Sequence, residues 1–261
     1  MKLIQSRENP FFKELLKIAA SARNRKKTGK TLLDGTHLIA SFLDAGCKPL
    51  HVLLNVSSEG EEMEGLKDRL QGVPVTVLDG KLFSELSELK TSTEMLALIE
   101  VQRPEPAAFR FGLLLEDIQD PGNLGSILRS GAAAGCDAVF LSRGCADAWS
   151  PKVLRAAMGG HFFTRIYEAQ DLSKVAASFQ GMKLATSLHA RASLYECDLS
   201  GNLAFMLGNE GAGLSEGLLK LATHEVKIPM PGGVESLNVA AAAAVCLFET
   251  VRQRLMTGRS K

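Results

Sequence analysis

Short apolar runs alternate with helical periodicity along most of the chain. In the second half the runs GLLLED, AVFLS, KLATSL, LAFML and EVKIP are separated by stretches with apolar residues every three or four positions. Continuous apolar runs bounded by turn residues predict strands buried on both faces, hence an α/β fold whose parallel sheet carries helices on both sides. Helical stretches are expected near 124–134, from Ser150 onward and over a long closing segment, 236–255. The first half is more mixed, with a helical pattern over 9–22, TLLDGTHLIASFLDAG, HVLLN, a helix around 60–70, PVTVL and a final LALIEV. It predicts a small α/β domain. The two halves meet at VQRPEPAAFRF, where Pro104 and Pro106 disfavour both helix and ladder. The expected division is 1–103, a linker at 104–110, and 111–261.

Composition places the chain among globular proteins, with 46% hydrophobic residues in 261 and a net charge of +1. No run of about eighteen apolar residues is present, and the N-terminus MKLIQSRENPFFKELLK carries charges where a signal peptide has an apolar core. A cytoplasmic protein without a membrane anchor is expected. Cys47, Cys136, Cys145, Cys197 and Cys246 are odd in number and form no CxxC pair, and no HxxxH spacing occurs. Neither a disulfide framework nor a protein-bound metal is expected. Positive charge is concentrated at Arg23, Arg25, Lys26, Lys27 and Lys30. Such a cluster is either a phosphate-binding patch or a solvated helix end before a turn at Gly29. Sparse aromatics favour recognition of a polyanion by charge and shape over base stacking.

Candidate chemistry sits in three glycine-bearing loops, DPGNLGSILRS (120–130), LGNEGAG (207–213) and IPMPGGVESLNVA (228–240). Each follows an apolar run and leads into a helical pattern, so polar groups gather at strand ends, where α/β proteins place their sites. Asn123 is expected at or near a helix N-cap. Arg129 lies off the apolar stripe, among Ser126, Ser130 and Ala133. It is suited to a phosphate or carboxylate, although a surface salt bridge is the commoner fate of an arginine. Glu210, amid glycines, either caps the next helix or is a functional carboxylate. The GxxGxG spacing is not the dinucleotide fingerprint GxGxxG, which argues against a nicotinamide enzyme. Ser236 is a natural N-cap for the closing helix, whose alanine-rich face, continued by Val245, Phe248, Val251 and Leu255, is either deep core or a subunit interface.

Taken in order, DPGNLGSILRSGAAAGCDAVFLS, FMLGNEGAGLS and VKIPMPGGVESLNVAAAAAVCLFE resemble the three motifs of the SpoU/TrmH-type members of the SPOUT class of S-adenosylmethionine-dependent RNA methyltransferases. The segment SRENPFFKELLKIAASARNRKKTGKTLLDGTHLI is similar to the L30e/L7Ae-like substrate-binding domain that precedes the catalytic domain in many of them. Asp34-Gly35 stands where that family more often has Glu-Gly.

This resemblance implies a C-terminal SPOUT domain with a trefoil knot, an exception to the general absence of threaded loops. It implies a cofactor pocket lined by Thr186, Gly208, Ile228 and Leu237, and methyl transfer to a ribose 2′-hydroxyl. Asn123, Arg129, Glu210, Ser236 and Asn238 would form the catalytic set. A guanidinium with a pKa above about 12 is a poor base, so Arg129 is expected to clamp a phosphate and steady the developing oxyanion. The resemblance also implies a homodimer. It turns Arg23, Arg25, Lys26 and Lys27, with Lys152 and Arg155, into expected RNA contacts, and it favours ribosomal over transfer RNA by analogy. A transfer-RNA ribose methyltransferase shares all three motifs. A non-catalytic RNA-binding or ribosome-assembly protein would have no need of the five site residues together.

Overall fold

The computed structural model describes residues 2–57, 65–66, 68–87 and 94–258. These divide into two compact units, one formed by Met1–Gln102 with Trp149–Phe162 and the other by Arg103–Ala148 with Phe163–Lys261.

The first unit carries a five-stranded sheet of β1 (Lys2–Ile4), β2 (Lys30–Asp34), β3 (His51–Asn55), β4 (Val75–Leu78) and β5 (Met95–Glu100) in the order β1-β4-β3-β5-β2. The strand β1 was not foreseen; it pairs in parallel with β4. The helix expected over 9–22 is two helices, α1 (Pro10–Ala20) and α2 (Ala22–Thr28), hinged at Ser21, which ends the first and caps the second. Asn9 caps α1 through Phe11 N and Phe12 N. Phe12, Leu15 and Ile18 then bury one face of α1 against Leu32, Leu53, Leu96 and Leu98 of the sheet. Each such side chain contributes roughly 1.5–3 kcal/mol of burial. The helix expected around 60–70 falls mostly outside the described residues; Asp68–Leu70 forms a short 3-10 turn.

The remaining helices of this unit are α3 (Thr36–Asp44), α4 (Gly80–Leu86) and, from the second half of the chain, the helix Pro151–Ala157, capped by Ser150 with proline at its first turn. That last helix packs on β2. Thr31 Oγ1 donates to Trp149 O at 2.8 Å, and the Phe42 and Phe162 rings meet edge-on with centroids 5.0 Å apart. The segment expected to lie within 111–261 as one block therefore belongs partly to the first unit, because its apolar face is completed by β2 and α3.

The second unit is built on a seven-stranded, all-parallel sheet: β6 (Phe111–Leu115), β7 (Ala138–Leu141), β8 (Arg165–Tyr167), β9 (Met182–Thr186), β10 (Ala192–Ser193), β11 (Leu203–Leu207) and β12 (His224–Lys227). Their order is β10-β12-β9-β11-β6-β7-β8. Both faces are covered, as the apolar runs predicted. Leu114, Ala138, Phe140, Ala185, Ala204 and Met206 pack with Leu172, Ala176, Leu214 and Leu218 on one side. On the other, Leu113 lies under the helix Pro121–Ala133 and Phe111 under Arg254 of the closing helix Val239–Met256. Numbered along the chain, these helices are α5 (Pro121–Ala133), α6 (Pro151–Ala157), α7 (Leu172–Ser178), α8 (Glu216–Leu219) and α9 (Val239–Met256).

Residues 104–110, expected as a linker, are fastened to the second unit. Tyr167 donates its hydroxyl to Glu105 O at 2.9 Å, and Arg165 Nη2 donates to Ala108 O at 3.0 Å. Phe109 stacks on Phe179 at 4.4 Å. Prolines rule out helix and ladder there, but they leave the backbone carbonyls free to accept from β8.

Candidate functional site

At the start of α5, Asp120 is the N-cap and accepts from Asn123 N at 2.7 Å. Asn123 thus lies in the first helical turn and not at the cap, because Pro121 occupies the first helical position, where its fixed φ suits a helix and no N–H is needed. The closing helix shows the same displacement. Its cap is Asn238 and not Ser236.

Asn238 Oδ1 accepts from Ala240 N at 2.9 Å and Ala241 N at 3.3 Å. The other end of its amide is therefore the NH2, which donates to Asn123 Oδ1 at 2.9 Å. That leaves the Asn123 NH2 to donate to Glu210 Oε1 at 2.6 Å. An amide NH2 only donates, so every bond in the chain Asn238→Asn123→Glu210 has one direction. Side chains from all three glycine-bearing loops meet in it.

Glu210 also lines a cavity of about 370 Å³, together with Thr186, Gly208, Ile228, Ser236 and Leu237. Glu210 and Lys227 are the charged side chains of its wall, beside His189; much of the rest is apolar or backbone. Gly208 leaves no room for a side chain, since a Cβ there would lie 2.2 Å from Gly213 C and O. The loop that follows folds back on itself through Gly213 N, which donates to Asn209 O at 2.8 Å.

Arg129 stands apart from this set. It is exposed on α5, is not in the cavity wall, and among the described residues makes no hydrogen bond or ion pair. The salt bridge usual for such an arginine is not formed.

The expected RNA contacts divide. Arg23, Lys26, Lys27 and Lys152 are exposed. Arg25 is not available, being only 5% exposed and donating through Nη1 to Ile18 O and Ala19 O, both at 2.8 Å. It closes the carbonyl end of α1, whose last turn has no intrahelical donors. Arg155 pairs with Asp34 at 3.7 Å, and Ser87 Oγ donates to the same carboxylate at 2.8 Å. The aspartate that departs from the usual Glu-Gly thus has an arginine partner within its own unit.

Burial pushes the Cys136 and Cys246 thiols up to about 12, and it raises Cys145 and Cys197 as well. None is poised as a thiolate nucleophile. Among the described residues no cluster of His, Cys, Asp and Glu could hold a metal ion, and no helix is long and apolar enough to cross a membrane.

Residues 110–248 match the model of the SpoU rRNA Methylase family, more than half of the chain. The chain belongs to that family. Residues 9–97 of this SpoU-family chain also match the MRM3-like substrate binding domain. Over 95% of its length it is 34% identical to the 23S rRNA (guanosine(2553)-2′-O)-methyltransferase RlmP of Bacillus subtilis, 98% of which is covered. A Synechocystis protein named as an uncharacterized tRNA/rRNA methyltransferase is 37% identical, with 96% of this chain and 94% of that one aligned. Among solved structures, the SpoU methyltransferase AviRb from Streptomyces viridochromogenes in complex with AdoMet superposes with a TM-score of 0.84 at 27% identity, covering 95% of this chain and 99% of that one.

Glu116, Asp117, Ser142 and Asn209 also join these strand ends, although their local pattern does not single them out. Glu116 Oε2 accepts from Ser215 N at 2.7 Å, tying the end of β6 to the exit of the second loop. The available signal was a polar residue immediately beyond each buried run: Glu116-Asp117 after GLLL, Ser142 after AVFL and Asn209 after LAFMLG.

Proposed function

We propose that this chain is an S-adenosylmethionine-dependent methyltransferase acting on a ribose 2′-hydroxyl of ribosomal RNA. The directional chain Asn238→Asn123→Glu210, ending on the wall of a largely neutral cavity, is the observation that carries the reading. Family membership and the activities for which its relatives are named point the same way.

The cavity fits the cofactor. Its volume of about 370 Å³ falls within the roughly 300–1,000 Å³ of small-molecule sites. Thr186, Gly208, Ile228 and Leu237 would hold the cofactor by backbone groups and apolar contact, which a sulfonium needs more than a counter-ion. When bound, S-adenosylmethionine would supply an electrophilic methyl group, its S–C bond breaking to leave the neutral thioether. The protein's share is then to align the 2′-oxygen and let its proton leave as the new O–C bond forms. Asn123, Glu210 and Asn238 hold the polar rim in one arrangement, and Ser236 completes it. Arg129, exposed and with no partner among the described residues, grips the phosphate beside the target ribose and steadies the oxyanion; the proton passes to a neighbour or to water.

The reading extends to the assembly. Phe248 and Leu255 on α9 are 48% and 62% exposed and, with Ala241, form an apolar stripe, which supports a homodimer through that helix. Residues 228–238 run along the cavity before α9 packs on α5, an arrangement suited to a trefoil knot. The N-terminal unit serves as an L30e-like RNA-binding domain, with Arg23, Lys26, Lys27 and Lys152 as phosphate contacts. The protein works in the cytoplasm.

Mapping of 2′-O-methylation across ribosomal and transfer RNAs, in cells with and without the protein and with an Arg129→Ala complement, tests this. Loss of one ribosomal mark, unrestored by the variant, is expected. Loss of a transfer-RNA mark instead would overturn the substrate, and unchanged marks would overturn the activity.

A further inference from the structure

We infer that Asp117, Ser142 and Asn209 form a polar crossbar over three strand ends that positions Glu210 for the reaction. This rests on the methyltransferase reading above. The strands β7, β6 and β11 are neighbours in the sheet and end at Leu141, Leu115 and Leu207. One or two residues beyond each end stands a member of the crossbar.

Asp117 is its centre, and all its backbone polar groups are engaged within the crossbar. Its N–H donates to Ser142 Oγ at 2.9 Å, and the Ser142 hydroxyl donates back to Asp117 Oδ1 at 2.5 Å. Its carbonyl accepts from Asn209 Nδ2 at 3.0 Å. These bonds hold Asp117 at φ 54°, a left-handed conformation disfavoured for a residue with a Cβ. The neighbouring loop is shaped to receive the carboxylate: a Cβ on Gly144 would come within 2.2 Å of Asp117 Oδ1.

Asn209 carries the effect to the site. While its NH2 grips Asp117, its Oδ1 accepts from Gly211 N at 2.9 Å and Ala212 N at 3.1 Å. Glu210 is the residue enclosed between the anchor and the amides it anchors. With the backbone tied on both sides, the Glu210 carboxylate is held where Asn123 donates to it at 2.6 Å. Asp117 also stands three residues before Asp120, the cap of the helix bearing Asn123, so the crossbar shares a loop with one partner of the Asn123–Glu210 bond and is tied to the other through Asn209. Preorganisation of this kind makes Asp117, Ser142 and Asn209 positioning residues, Asn209 from a place in the cavity wall.

The test compares Asn209→Ala and Asn209→Asp in the full chain, alone and with Glu210→Ala. Asn209→Ala removes the acceptor for Gly211 and Ala212, and their amide hydrogen exchange should accelerate. Asn209→Asp keeps that acceptor but faces the Asp117 carbonyl with an oxygen, so it should retain protection yet slow single-turnover methylation of ribosomal RNA. Both variants should lose roughly 10²-fold in rate at saturating cofactor. In the Glu210→Ala background Asn209→Ala should cost less than about twofold more, since the two act as a unit. Unchanged exchange in Asn209→Ala, or losses that multiply in the double variant, would overturn the crossbar. Absence of methyl transfer by the wild-type protein would overturn the methyltransferase reading alone, and the exchange measurement would still decide the geometry.

Discussion

Asn238 and Asn123, 115 residues apart in the chain, are joined by one amide-to-amide hydrogen bond of 2.9 Å. The closing helix thereby fixes the side chain that meets Glu210, because the cap that Asn238 makes with Ala240 and Ala241 leaves its amide a single orientation. Helix initiation and site geometry are one arrangement here.

Replacing Asn123 with Asp should therefore be more damaging than its small change in shape suggests. It puts a second carboxylate against Glu210 and removes the amide that donates to it. A loss of about 10²-fold in single-turnover methylation is expected, with cofactor binding by calorimetry changed far less. Turnover close to wild type would show that the polar chain plays no part.

Gly208→Ala drives a Cβ into the backbone of Gly213 and Leu214, at 2.2 and 2.4 Å. Relief requires the cavity wall to move, at a cost of about 1–3 kcal/mol. Calorimetric titration with S-adenosylmethionine should show affinity falling by at least about tenfold. Unchanged affinity would mean that this wall is not the cofactor's.

Arg129→Lys keeps the charge but loses the planar fork of donors. Methyl transfer should collapse while cofactor binding survives, as judged by single-turnover kinetics beside calorimetry. Near-normal rates would remove the phosphate clamp from the mechanism.

Two arginines two residues apart should behave oppositely. Arg25→Ala abandons the Ile18 and Ala19 carbonyls and should destabilise the protein by about 1–3 kcal/mol in denaturant melts. Arg23→Ala should leave stability unchanged and weaken RNA binding, with a shallower dependence on salt. Equal effects on RNA affinity, with stability intact in both, would contradict the burial of Arg25.

Glu249, 8% exposed on α9, accepts from Arg252 at 2.7 Å and from Gln253 at 2.9 Å. The Arg252 hydrogen bonds hold its carboxyl below the ordinary 4.5. A lowered folded-state pKa contributes stability that is present above the unfolded value and lost as pH falls through the folded one. Melting temperatures should thus drop more steeply below about pH 4.5 in the wild type than in Glu249→Gln, which has already forfeited the interaction at neutral pH. Parallel curves would assign the acid sensitivity to other carboxylates.

Much of this architecture was legible locally. The runs GLLLED, AVFLS and LAFML became β6, β7 and β11, buried along their whole length because central strands covered on both faces need uninterrupted apolar residues, while KLATSL and EVKIP became the partly exposed β9 and β12. The short edge strands β1, β8 and β10 were missed, having three residues or fewer and little apolar signal. Both helix starts were displaced for one reason: Asp120 and Asn238 are equally good caps beside Asn123 and Ser236, and only the accepted N–H groups tell them apart.

By itself the sequence determined most of the longer strands and helices, that the three loops stand at strand ends, and that the chain carries the motifs of its family. These follow from periodicity and turn chemistry, which act over a few residues. The tertiary structure alone decided that 149–162 joins the N-terminal unit, that Arg25 turns inward while Arg129 is exposed, and that Asn209 reaches the Asp117 carbonyl. A polar side chain's role depends on whether a distant donor or acceptor reaches it, and no local pattern encodes that distance.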